Sequence, residues 1–360
     1  MTVGCDQINE LMIEIIEDRK QWREQLSSVE NLDFYHTYDY HQLSKKNDER
    51  PVLIKYTAPG TCLLLPLLLR NIENSEYKDA ISVYGYAGIL TSQIDDGFNT
   101  RRFHSLLNAY FNENKIISVF SRLHPYLAHQ EDLLKGLGSI TTLGKVVYID
   151  LKDTVENQRK MFNKRMKTYL NKSRKICTVI ESKSDEAIKT FIRLYHENMK
   201  RVDADDSYFF DKCYFERLFS STGFTTRLML CINNNTNTVI AGALFIEKGK
   251  IIQYHLSGLD YDYYDLNAVK LIIDEMRIKS TQQGFEYLNL GGGRGSREDS
   301  LFVFKHNFSK HYKEFKIWKY IVNQEVYESL THAHLGNSYS NTCDSIQFFP
   351  AYRSNLKIHL

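Results

Sequence analysis

Apolar positions along the chain follow two periods, and the switch between them marks its elements. Continuous or period-two apolar runs predict strands in "RPVLIKY" and "TCLLLPLLLRNI", on either side of the turn "TAPG", and again in "KIISVFSRL" and "KVVYIDL". "DAISVYGYAGIL" predicts a strand entering an aromatic, glycine-bearing loop. Phe103, Leu106, Leu107 and Tyr110 recur at helical spacing, which predicts an amphipathic helix over "NTRRFHSLLNAYFNEN". After Asp150 the order restarts. "TVENQRKMFNKRMKTYLNKSRK" predicts a helix, "ICTVIES" a strand, and "SDEAIKTFIRLYHENMKR" a helix capped by Ser184. The strands "TRLMLCIN", "TVIAGALFIEK" and "KIIQYHLSG" form a meander turning at "NNNTN" and "KGK". A helix stopped by Gly284 follows, then the strand "FEYLNL", the helix "DSLFVFKHNF" and the long strand "KEFKIWKYIV".

This order predicts an α/β (α+β) protein with mixed sheets, built as two similar units side by side: residues 1–150, residues 151–330, and a tail, 331–360, packing back on them. At 360 residues with 42% hydrophobic positions, about two domains with substantial cores are expected. The absence of a Gly/Ser-rich linker argues for closely packed units. A net charge of +2 excludes a generally basic nucleic-acid binder, so any basic site must be local. The six cysteines are scattered without metal or redox spacing and fit free thiols in a reducing compartment. "MTVGCDQINE" has no apolar core of a signal peptide. "CLLLPLLL" is too short to span a bilayer. The expectation is a cytoplasmic protein, with transient contact with a membrane surface left open.

Candidate chemistry concentrates late in the chain. Gly291, Gly292, Gly293 and Gly295 fit neither the dinucleotide-binding fingerprint nor a P-loop, whose glycine and lysine spacings they lack. Three glycines after a strand either make a plain tight turn or present backbone N–H groups to an anion. In the helix beyond, capped by Asp299, the residues Leu301, Phe304 and Phe308 define an apolar arc that contains Lys305. That ammonium either snorkels past a phenylalanine or meets an anion in a cleft, where it could stabilise charge on a carbonyl oxygen. Strict alternation in "KIIQYHLSG" puts Ile252, Tyr254 and Leu256 on one face and Gln253, His255 and Ser257 on the other. A polar face on a central strand suggests a polar cavity, with His255 either a satisfied core histidine or a proton acceptor. "NKRMKTYLNKSRK" carries six basic residues and no acid, either a solvated helix face or an attractor of phosphates. Tyrosine-rich loops suit a sugar or extended-chain acceptor, and core packing accounts for others.

The segments "FYHTYDYHQL", "LPLLLR" with "DAISVYGYAGIL", "YHENMKRVDADDSYFF", "IAGALFIEKGKIIQYHLSG", "LNLGGG" with "DSLFVFKHNFS", and "FFPAYR" together resemble the FemAB-like branch of the GNAT acyltransferases, which carries two GNAT-like domains in tandem. The resemblance implies transfer of an acyl or aminoacyl group from acyl-CoA or aminoacyl-tRNA, without a metal, to an amine of a cell-envelope precursor such as an amino sugar, a sugar nucleotide or a peptidoglycan peptide. It places Lys305 in the transfer site, with Tyr254 and His255 lining it. It assigns substrate contacts to Tyr35, His36, Tyr84, Tyr86, Tyr208, Gln253, Ser257, Gly291, Gly292, Gly293, Asp299 and Ser300. Donor phosphates fall to Lys164, Arg165, Arg174, Leu266 and Asn267. The GNAT pyrophosphate loop Q/R-x-x-G-x-G/A is replaced by "LDYDYYDLN", which lacks its glycines. That departure keeps open a non-catalytic protein of the same fold that binds an envelope polysaccharide or an RNA end.

Overall fold

The computed structural model describes residues 12–336 and 348–354. The N-terminal stretch read for a signal peptide and much of the tail lie outside the described residues. In chain order the elements are β1 (Met12–Ile16), α1 (Arg19–Leu26), α2 (Tyr38–Ser44), β2 (Glu49–Ala58), β3 (Thr61–Asn71), β4 (Lys78–Ile81), β5 (Leu90–Gln93), α3 (Thr100–Glu113), β6 (Ile116–Arg122), α4 (Gln130–Leu134), β7 (Ser139–Asp150), α5 (Val155–Lys160), α6 (Lys164–Ile176), β8 (Cys177–Glu181), α7 (Asp185–Arg201), α8 (Lys212–Ser220), β9 (Thr225–Asn233), β10 (Thr238–Lys248), β11 (Ile251–Leu259), α9 (Ala268–Gln282), β12 (Tyr287–Gly291), α10 (Ser300–His306), β13 (Tyr312–Ile321) and α11 (Gln324–Leu335).

The chain forms two compact units, neither of them contiguous in sequence. The first holds the described parts of Met1–Glu30, Tyr40–Leu143 and Phe315–Leu360, and the second holds Asn31–Asp39 and Gly144–Glu314. A single boundary near Asp150, as read from the sequence, therefore misses two exchanges. A strap from the N-terminal region, Asn31–Asp39, belongs to the second unit, and the chain after Glu314 returns to the first.

Each unit repeats one strand plan. In the first, β1, β2, β3 and β4 run antiparallel; helix α3 then leads to β6, parallel to β4, and β13 pairs antiparallel to β6. In the second, β8, β9, β10 and β11 run antiparallel; helix α9 leads to β12, parallel to β11, and β7 pairs antiparallel to β12. Two tandem α/β units with mixed sheets are thus observed. The core of the first unit forms where Val52, Ile54 and Tyr56 of β2 and Leu63, Leu65 and Leu67 of β3 meet Phe103, Leu107 and Phe111, spaced four apart on α3. Trp318 of β13 is fully buried there, and its indole donates to the Leu137 carbonyl at 2.5 Å. Tail residues 348–354 also belong to this unit. The Arg353 guanidinium reaches the buried Asp79 carboxylate at 2.5 Å, and Arg70 takes its other oxygen at 2.6 Å.

The sheet of the second unit has two covered faces. On one, Ala241, Ala243 and Phe245 of β10, Ile252 of β11 and Leu288 and Leu290 of β12 pack with α6, α9 and α10. On the other, α7 lies against β10 and β11: Phe191 sits over Gly242, and the Leu194–Tyr195 backbone sits over Gly258. The long helix expected over residues 154–175 is instead two, α5 and α6. The break falls where the Asn163 side chain accepts from the Arg165 amide and starts a new helix. Because a Cβ at Gly258 would collide with the backbone of α7, Gly258→Ala should destabilise the protein by about 1–3 kcal/mol, read as a drop in thermal midpoint.

Candidate active site

The site is built around a fork between β11 and β12. These parallel strands pair at Ile251–Tyr287, Ile252–Leu288 and Gln253–Asn289, and there the ladder ends. At the same point β11 bulges. Leu244 pairs with Leu256 and Phe245 with Tyr254, so His255 is the extra residue against β10. Beyond Gln253 the backbone of β11 has, among the described residues, no strand partner on the β12 side.

The bulge overturns the alternation expected from the sequence. Ser257 lies with Tyr254, not with Gln253: the Tyr254 hydroxyl donates to Ser257 Oγ at 2.5 Å. Both share the face of Phe245 and Ala243, to which they are paired. Leu256, expected beside Tyr254, pairs with Leu244 on the other face. Burial raises the Tyr254 phenol to about 12, so it stays protonated at neutral pH. His255 packs edge-on to Phe34, with centroids 5.8 Å apart, and its Nε2 lies 2.7 Å from the Tyr214 hydroxyl. Burial pushes its pKa down to about 4. A ring so reluctant to bind a proton is a poor general base at neutral pH, and it stands uncharged between Phe34 and the Tyr214 hydroxyl.

On the other tine of the fork, Lys305 is 8% exposed. Its Nζ donates to the Gly292 carbonyl at 2.6 Å. Gly291 adopts φ +78°, and a Cβ there would lie 3.2 Å from the ammonium, so glycine permits both the turn and the approach of the lysine. Burial lowers the Lys305 pKa to about 8, with the nearby Asp299 carboxylate opposing the fall. Asp299 caps α10 by accepting from the Phe302 amide at 3.0 Å and holds the preceding turn through the Arg294 amide at 3.2 Å. Despite a burial effect in the other direction, these backbone donors keep its carboxyl below the ordinary value. Helix α10 packs with Phe302 and Phe308 on the face of Tyr254. Lys305 and His255 therefore come to the fork from opposite faces of the sheet. The cleft that the sequence reading gave them jointly is a gap between strands, with one group from each side.

Residues 226–334 match the model of the FemAB family. The structure superposes on the crystal structure of FemX over 88% of this chain and 99% of that one, at 14% identity and a TM-score of 0.68. A conserved protein of unknown function from Bacteroides thetaiotaomicron VPI-5482 matches over 85% of this chain and 99% of its own, at 11% identity and a TM-score of 0.57. So does the C-terminal domain of a protein assigned as a lysylphosphatidylglycerol synthetase from Agrobacterium fabrum, over 88% and 97%, at 12% and 0.51. Residues 226–334 therefore resemble the FemAB family, and the chain as a whole shares the fold of FemX. A search of the curated proteins finds no match.

The remaining expected residues separate by what already holds them. Gln253 is buried and donates to Asp33 Oδ2 at 2.6 Å. His36 is fully buried, and its Nδ1 accepts the Asp33 amide at 2.9 Å, so it closes a turn of the strap. Tyr35 beside it is 8% exposed and packs on Phe34. Tyr208 is exposed on the loop between α7 and α8, and its carbonyl accepts from Tyr195. Ser300 is exposed at the start of α10. Tyr84 and Tyr86 belong to the first unit. There Tyr84 is 65% exposed beside Arg122, while Tyr86 packs on Phe315 and is raised to about 12 by burial.

At the expected donor site, Lys164 and Arg165 are exposed on α6. Arg174 is not available: it pairs with the buried Asp274 at 2.6 Å and with Glu275 at 2.8 Å, fixing α6 to α9. The Leu266 carbonyl is held by Ser173 at 2.6 Å. Asn267, at φ +53°, starts α9 without a side-chain cap and accepts from Lys270 Nζ at 2.5 Å. Lys270 was missed in the sequence. Its ammonium lies 4.5 Å from the Tyr169 ring centre, with the Arg165 guanidinium 5.9 Å away from the same ring. Asp33 and Asn289 were missed too; Asn289 stands out in the sequence only as the polar residue inside "FEYLNL", and the register of β11 with β12 is what brings it to Gln253. Among the described residues, no group of three His, Cys, Asp or Glu side chains could hold a metal, and no helix is long and apolar enough to cross a membrane.

Two outcomes test these environments. The His255 ring should show no NMR titration between pH 8 and pH 5. Lys305 binds fewer protons folded than unfolded between about pH 8 and its ordinary 10.5, so its contribution to stability rises with pH across that window and is a penalty below it. Lys305→Met should therefore stabilise the fold at pH 7 by up to about 3 kcal/mol, with the gain shrinking toward pH 10.5 in thermal unfolding.

Proposed function

We propose that the protein moves an aminoacyl or acyl group from aminoacyl-tRNA or acyl-CoA to an amine of a cell-envelope precursor: an amino sugar, a sugar nucleotide or a peptidoglycan peptide. The observation that carries this reading is the enclosed Lys305 ammonium at the mouth of the β11–β12 fork. The donor carbonyl enters where the ladder ends. There it meets the backbone of β11 beyond its last pairing with β12 and the lysine of α10 from the other side. The neutral acceptor amine attacks, the C–N bond forms, the C–O or C–S bond to the donor breaks, and the proton released by the amine leaves with the donor's oxygen or sulfur as a free tRNA hydroxyl or CoA thiol. The carbonyl oxygen carries negative charge in between, and Lys305 opposes that charge in a site largely closed to water. Tyr254, kept protonated, and the neutral His255 give walls that do not compete for the charge.

The donor's phosphates lie toward the start of α9, near Lys164, Arg165 and Lys270. The turn before it carries Asp260, Asp262 and Asp265 and no glycine. Those carboxylates disfavour a pyrophosphate and agree with the FemAB family match in favouring charged tRNA over CoA. The protein works in the cytoplasm, where such donors are made.

Transfer can be assayed with total tRNA charged with radiolabelled amino acids, or with labelled acetyl-CoA, against a panel of amine-bearing envelope precursors. Lys305→Ala should lower kcat by about 100-fold or more. The wild-type kcat/KM profile should fall above about pH 8 as Lys305 loses its proton, and Lys305→Ala should lack that limb. An unchanged rate in Lys305→Ala would discard the catalytic assignment.

A further inference from the structure

A line of hydrogen bonds crosses the root of the fork and ends at the lysine. The Phe34 amide donates to Asp33 Oδ1 at 2.6 Å, and Gln253 Nε2 donates to Asp33 Oδ2 at 2.6 Å. Asn289 Nδ2 donates to Gln253 Oε1 at 2.7 Å. The Gly291 amide donates to Asn289 Oδ1 at 3.1 Å. The next residue, Gly292, offers the carbonyl that receives Lys305 Nζ. Asp33 and Asn289 are fully buried and Gln253 is 3% exposed, so water cannot substitute freely for any of these partners.

We propose that Asp33, acting through Gln253 and Asn289, is a positioning residue that fixes the glycine turn holding Lys305. The proposal rests on the role given to Lys305 above, and goes beyond it by assigning a function to the strap.

The reason is polarity. A carboxylate only accepts hydrogen bonds. Facing Asp33, Gln253 must present its NH2 group, which leaves its oxygen toward Asn289. Asn289 must then present its own NH2 group to Gln253, which leaves its oxygen for the Gly291 amide. One carboxylate thus dictates the orientation of two side-chain amides and the acceptor offered to the turn. Asp33 itself is held from elsewhere on the strap. His36 accepts from its amide, and at the far end Asp39 Oδ2 accepts from the Thr222 and Gly223 amides at 3.0 and 2.8 Å. Phe34 between these anchors packs on Phe224 and His255. The strap is therefore tied to the second unit at both ends, and its buried carboxylate reads out to the turn.

Asp33→Asn keeps the shape and spoils the polarity. A carboxamide at position 33 must turn an NH2 group, itself a donor, toward one of the donors that the carboxylate accepted, the Phe34 and His36 amides and Gln253 Nε2 among them. The conflict settles at the more accessible end, the Gly291 amide, since the Phe34 amide is enclosed. Asn289→Ala removes the acceptor of Gly291 directly. The double variant Asp33→Asn with Gln253→Glu moves the carboxylate one place along. The new amide at position 33 then donates to the new carboxylate at position 253. That carboxylate accepts from Asn289, and the original polarity returns.

Two measurements do not depend on turnover: amide hydrogen exchange at Gly291 by NMR, and the labelling rate of Lys305 by acetic anhydride, read by mass spectrometry. Both should rise about tenfold or more in D33N and in N289A and return toward wild type in D33N/Q253E. In the transfer assay, kcat should fall about tenfold in D33N with KM little changed, and recover in the double variant. Unchanged exchange and labelling in both D33N and N289A would overturn the relay, as would a double variant no better than D33N. A Lys305→Ala enzyme that still transfers at full rate would instead overturn the role of Lys305, while recovery of Gly291 exchange in D33N/Q253E would still establish the coupling. If D33N does not fold, N289A supplies the exchange, labelling and kcat readings.

Discussion

An ammonium removed from water must be met by an oxygen, and much of the second unit's late chain follows from that requirement. Lys305 lies within the apolar arc of α10, between phenylalanines that pack into the core. Its hydrogen-bond acceptor is the carbonyl of Gly292. That carbonyl is within reach because Gly291 turns the chain with a positive φ and leaves room for the side chain. The loop is steadied by Asp299, which also starts the helix that carries the lysine. Remove any one of these and a buried charge is left facing carbon.

The two faces of the sheet then divide the work at the fork. One face brings Lys305, Tyr254 and Ser257; the other brings His255, Tyr214 and the strap. A single bulged residue makes that division possible. Without it, Ser257 would follow Gln253 to the strap side and Tyr254 would lose its hydrogen-bond partner. The histidine most visible in the sequence is the bulged residue itself. Its ring is too poor a base for proton transfer at neutral pH, and its place next to the open edge of β11 gives the gap a firm, uncharged side.

Much of this was legible from residue pattern. The meander, the helices with their Ser184 and Gly284 boundaries, the glycine turn, and the inward aim of Lys305 all follow from local rules of spacing and capping. What was not legible depends on pairing between distant segments. Alternation assumes a regular ladder, so the bulge at His255 moved Ser257 and Leu256 to faces opposite those expected. Arg174 looked like a phosphate ligand because its acidic partners stand a hundred residues away on α9. Asp33 stood among aromatic residues that drew the reading toward an acceptor cleft, and its partner Gln253 is 220 positions downstream. No local pattern signals that a strap preceding one unit will be built into the other.

The sixth strand of each unit has a bearing on how the protein comes into being. The first unit closes with β13, which is synthesised after nearly all of the second; the second closes with β7, which precedes its other strands. As the chain leaves the ribosome, the early sheet must wait with β6 uncovered for almost two hundred residues. No single cut yields two self-sufficient halves, and a message truncated before Tyr312 would leave the first unit without its sixth strand while the second keeps β7 to β12.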